Sequence, residues 1–107
     1  MKNTKINVLG TEYAIIVEEF ADSDTDGYCD CTSREIHLRS DNTNKMGNFE
    51  QLQRKQLRHE IIHAFLAESG LQANFQHCER FGHDETMVDW IAIQWHKIDA
   101  VYKQLGI

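Results

Sequence analysis

Short alternating segments fill the first part of the chain, and longer helical periods fill the rest. Residues 6–8 and 13–17 are rich in β-branched and aromatic side chains, with Gly10 between them. They predict two strands joined as a hairpin. A run of Asp, Ser and Thr over residues 21–27 ends in Gly and reads as a loop. Residues 28–32 and 35–39 predict a second hairpin turning near Ser33. In its latter strand Ile36 and Leu38 alternate with Glu35, His37 and Arg39, the period of a strand with one wet face. That strand is expected at the sheet edge, with His37 exposed.

After a polar connection over residues 40–48, residues 49–69 predict a long helix. Asn48 is its expected N-cap, Glu50 lies in the first turn where the dipole favours it, and Gly70 is the left-handed stop. Residues 71–83 read as a loop or irregular short helix, and Asp84 is expected to cap a second helix over 85–105. There Val88, Ile91, Ala92, Trp95, Ile98, Val101, Tyr102 and Leu105 recur at three- and four-residue steps, and Gly106 ends the run. Trp95 is expected in the core and Trp90 at the surface. Strands followed by helices imply an α+β domain with helices on one face of a short, twisted, mostly antiparallel sheet.

The 107 residues fit a single domain, and 41% hydrophobic content supports a folded core. A net charge of -6 argues against a broad nucleic-acid surface. No stretch approaches a membrane span, and residues 1–9 hold no run suited to a signal peptide. Cys29, Cys31 and Cys78 are odd in number and lack the spacing of a zinc ribbon or a redox C-x-x-C. Reduced thiols in the cytoplasm are therefore expected. The segment Asp22-Ser23-Asp24-Thr25-Asp26-Gly27 matches half of a calcium loop. Ser33 stands where that loop needs its bidentate Glu, so a solvated connection is expected.

His59-Glu60-Ile61-Ile62-His63 falls inside the first predicted helix. Positions i and i+4 share a face, so the two imidazoles can hold one Zn²⁺ while Glu60 stands beside the metal as general base. A catalytic zinc also needs a third protein ligand. Leu66 and Ser69 occupy the positions where a metzincin would carry Gly and His, which leaves Glu85 as the best alternative. Asp89, one turn further on, can accept a hydrogen bond from a ligand imidazole. His77, Arg80, His83 and Tyr28 are candidates for oxyanion or substrate contacts.

The pair His59-Glu60-Ile61-Ile62-His63 and Glu85-Thr86-Met87-Val88-Asp89 resembles the H-E-x-x-H plus E-x-x-x-D signature of gluzincins. The small size, the preceding strands and the stretch from Val88 through Asp89, Trp90 and Ile91 to Ala92 resemble the minigluzincins and the ImmA/IrrE-type peptidases carried by phages and mobile elements. The resemblance implies a zincin-like fold, zinc on His59, His63 and Glu85, and Asp89 orienting a histidine. It further implies a cytoplasmic peptidase acting on a protein or peptide substrate such as a transcriptional repressor. Two other readings stand beside it. One is a zinc-stabilised protein-binding module without useful turnover; the other is an interaction protein in which the motif is accidental.

Overall fold

The first hairpin joins β1 (Thr4–Val8) to β2 (Thr11–Glu18) in the computed structural model, which describes residues 1–71 and 85–107 apart from the side chains of Glu85, Val88, Asp89 and Ala92. Leu9 and Gly10 both take positive φ, and the Gly10 N–H donates to Asn7 Oδ1 at 2.8 Å. Two such residues give the twist a tight hairpin needs. The second hairpin joins β3 (Gly27–Asp30) to β4 (Glu35–Arg39). Asp30 Oδ1 accepts the N–H groups of Thr32 and Ser33, each at 3.1 Å, and pins that turn. These bonds and the Ser33 hydroxyl hold the Asp30 carboxyl below its usual range.

The sheet order is β1-β2-β4-β3. The outer two pairings are antiparallel, whereas β2 and β4 run parallel at the centre. The sheet is therefore mixed, and the edge beside the helices is β3 rather than residues 35–39. The reason is burial. Ile36 and Leu38 are fully buried, and only an inner position covers them on both sides, while Gly27, Tyr28, Cys29 and Asp30 tolerate an edge.

Register places Thr4, Ile15, Ile36 and Cys29 in one row and Val17, Leu38 and Gly27 in the next, all on one sheet face. Helix α1 (Phe49–Glu68) covers that face with Leu57, Ile61, Ala64 and Phe65, a stripe at helical spacing. Gly27 permits the close approach. A Cβ there would lie 2.9 Å from the His37 carbonyl oxygen and 3.1 Å from Gln56 Cγ. Asn48 precedes the helix but its side chain makes no cap bond; only its carbonyl takes part, accepting the Leu52 N–H at 3.0 Å. Gly70 adopts φ 82° as the stop.

Helix α2 (Glu85–Leu105) adds Ile98, Val101 and Tyr102 to the core. The Tyr102 hydroxyl donates to the Arg58 carbonyl at 3.1 Å, and the Trp90 indole N–H donates to Ser69 Oγ at 2.9 Å. These bonds set α2 antiparallel to α1. They also reverse the expected roles of the tryptophans: Trp90 packs against the core, while Trp95 is 53% exposed and meets Tyr102 edge-on. Ile91 is exposed as well. Among the described residues, Ile98, Val101 and Tyr102 are the buried part of the expected α2 stripe. Residues 72–84, including the expected Asp84 cap, lie outside the described residues. No helix among those described is long and apolar enough to cross a membrane.

The acidic loop before β3 closes on an arginine. Arg39 is 3% exposed. Its guanidinium donates to the carbonyls of Thr25 and Asp22, to Asp41 Oδ2 and to Thr43 Oγ1, and it stacks 5.2 Å from the Phe20 ring centre. Asp22 and Asp26 stand 3.9 Å away. A protein cation thus fills the centre of the half calcium motif. His37 differs from expectation too. Its side chain is 12% exposed, held between Glu18 Oε1 at 2.6 Å and Glu35 Oε2 at 3.0 Å. Neighbouring strands on both sides of β4 supply this cover.

Sheet and helix are tied at one further point. Tyr13, fully buried, donates its hydroxyl to Glu68 Oε1 at 2.8 Å, and Thr11 donates to Glu68 Oε2 at 3.0 Å. Burial first, then the carboxylate, pushes the Tyr13 phenol far above its ordinary range. Tyr13→Phe keeps the ring and removes the donor, so it is expected to cost roughly 1–2 kcal/mol. Urea titration should show a lower midpoint at an unchanged slope; an unchanged midpoint would mean that this bond contributes nothing to stability.

Candidate metal centre

Helix geometry explains how three polar side chains meet. Leu57, Ile61, Ala64 and Phe65 face the sheet, and Glu60 lies within the same face, 3% exposed. His59 and His63 lie one turn apart on the exposed flank beside it. The motif therefore straddles the seam between core and solvent. Its ligand atoms all lie within 4.8 Å of one another, and it is the one such group of three among the described residues.

The histidine pair suits a metal. Two nitrogens about 2.05 Å from one zinc ion at a tetrahedral angle stand about 3.3 Å apart. His59 Nε2 and His63 Nε2 are 3.2 Å apart, with ring planes at 71°. A ring-to-ring hydrogen bond has a similar separation, so the distance fits both arrangements. A buried carboxylate is costly unless a positive charge stands near it. Among the described residues no lysine or arginine pairs with Glu60; its hydrogen bond is from Gln56 Nε2 at 3.0 Å. A divalent ion between the two imidazoles would supply such a charge. The three residues present could hold a metal ion.

The edge strand forms the other wall. Cys29 Sγ and Cys31 Sγ are 3.5 Å apart, and Cys31 Sγ lies 3.9 Å from the His63 carbonyl oxygen. Burial and the hydrogen bond with Cys31, followed by the charges of Cys31, Glu60 and Asp30, push the Cys29 thiol well up. Gln56 escaped the sequence reading, as did the place of Cys29 and Cys31 beside the motif. Gln56 could have been found, since it precedes Glu60 by one helical turn and such pairs bond. The cysteines could not, because only the sheet register brings β3 to this helix.

Tyr28 is not brought to the cluster. It projects from the opposite sheet face, where it stacks on His37 with ring centres 4.5 Å apart and planes at 10°. Glu85 opens α2, but its side chain and that of Asp89 lie outside the described residues, as do His77, Arg80 and His83 altogether. No family model matches the chain, and neither do curated proteins or solved structures.

The purified protein is expected to carry one zinc per chain. His63→Ala removes one of the two imidazoles and should lower metal content sharply by elemental analysis. Undiminished zinc in that variant would dissolve the assignment.

Proposed function

We propose that this chain is a zinc-dependent, gluzincin-like peptidase with Glu60 as its general base. The observation that carries the reading is the convergence of His59, His63 and the buried Glu60 within 4.8 Å. Zinc, when bound, polarises the scissile carbonyl and makes water a usable nucleophile near neutral pH. Glu60 takes the proton from that water and returns it to the leaving amine. Gln56 holds one carboxylate oxygen, which fixes the base in place and leaves the other oxygen available for the proton. The core around Leu57 and Ile61 restrains the backbone that carries both groups. An extended peptide would add to the open edge of β3, beside the motif helix. A transcriptional repressor is a substrate consistent with the resemblance to ImmA/IrrE-type enzymes.

A zinc-stabilised binding module is the second reading. One observation favours it: Tyr28, a candidate for oxyanion contact, projects from the far face of the sheet. If His77, Arg80 and His83 also fail to reach the substrate, zinc alone must polarise the carbonyl and turnover falls.

Glu60→Gln decides between the two. The amide is nearly isosteric, so fold and zinc content should survive, but it accepts no proton from water. A positioned general base contributes roughly 10²–10⁴ in rate. Peptide-library cleavage should drop by that factor; equal cleavage by the variant would move the chemistry elsewhere, and no cleavage by either protein would favour the binding module.

The third ligand is tested separately. Glu85→Ala should lose zinc to a competing chelator most readily. Asp89→Ala retains all ligands and loses an orienting contact, a change typically worth ~10–100-fold in affinity or activity. His83→Ala should keep its zinc. Loss of zinc from His83→Ala with retention by Glu85→Ala would reassign the ligand and end the gluzincin reading.

A further inference from the structure

The chemistry proposed above makes no use of the two thiols at the rim of the metal centre. Cys29 is fixed in β3 by its ladder pairing with Ile36 and faces the motif helix. Cys31 follows the strand end, in the turn before β4. Their sulfurs are 3.5 Å apart, and a disulfide needs about 2.05 Å. The same sulfur of Cys31 meets the His63 carbonyl at 3.9 Å, so closing the bond alters a contact with the backbone of a motif residue.

We infer that Cys29 and Cys31 form a reversible dithiol–disulfide switch, oxidised by hydrogen peroxide or an alkyl hydroperoxide, that weakens metal binding when closed. One sulfur attacks a peroxide oxygen; an S–O bond forms, the O–O bond breaks, and water or an alcohol leaves. The second sulfur attacks the sulfenic sulfur; the S–S bond forms, the S–O bond breaks, and water leaves. The two thiols lose two electrons and two protons, and the peroxide gains them. A dithiol reductant reverses the change by exchange. The effect on metal rests on the zinc-site reading, whereas the pairing of the two sulfurs does not.

The test uses the full chain carrying Cys78→Ser, so that the third thiol cannot compete. The metal-free protein is treated with hydrogen peroxide, and its intact mass and proteolytic peptides are measured. Zinc affinity is then compared between reduced and oxidised protein by chelator competition. The expected result is loss of two hydrogens, mapped to a Cys29–Cys31 bridge and reversed by dithiothreitol. Zinc affinity in the oxidised form should fall ~10-fold, as for loss of an outer contact of a metal ligand. Cys31→Ser in the same background should show neither change. Oxygen addition without a bridge would overturn the switch. A bridge with unchanged zinc affinity would overturn its coupling to the site. Failure of the reduced protein to hold zinc would instead be a failure of the metal-site reading, and the mass measurement would still decide the pairing.

Discussion

One face of α1 must hold the sheet and also carry a carboxylate. Leu57, Ile61, Ala64 and Phe65 fill the space above β2 and β4, and Glu60 stands among them with almost no exposure. Every other feature of the site follows from that constraint. Because Glu60 faces the core, His59 and His63 fall on the adjoining flank, at the border with solvent. The carboxylate has an amide partner in Gln56 but lacks a lysine or arginine partner among the described residues. It is buried beside two imidazole nitrogens that stand at the spacing of a shared ion.

The sheet topology determines what else can reach this place. Placing β4 inside and β3 outside brings the edge strand under α1, and Gly27 leaves room for the Gln56 side chain of that helix. Cys29 and Cys31 come with it. The opposite face keeps the polar residues of the same strands, with Tyr28 stacked on His37 between Glu18 and Glu35. Arg39 closes the loop that feeds β3, and a buried guanidinium with several acceptors rigidifies that entry more than a solvated loop would. The strand flanking the candidate metal centre is anchored at the end where it starts.

The local elements were legible because local rules set them. Both hairpins, the Gly70 and Gly106 stops and the extent of both helices follow from alternation, turn residues and helical period. The H-E-x-x-H cluster was legible for the same reason, since its spacing lies within one helix. What failed was long-range. The parallel pairing of β2 with β4 depends on how the second hairpin folds back, and no pattern within residues 35–39 distinguishes an inner strand from an edge. His37 was misjudged with it. Trp90 and Trp95 were exchanged because period shows which residues share a stripe but not how much of that stripe the partner helix covers.

The same long-range limit governs the third ligand. Tyr102 bonds beside His59, at Arg58, and Trp90 bonds at Ser69, beyond His63, so α2 runs back along α1. Ser69 lies about 9 Å past His63 along a straight helix, at about 1.5 Å per residue. Residue 85 begins α2 before Trp90, hence further from the motif if the two axes are parallel. A glutamate from this turn can complete the metal site only if α2 crosses α1 and turns its first residues back toward His63. The gluzincin reading therefore makes a geometric demand beyond its residue pattern.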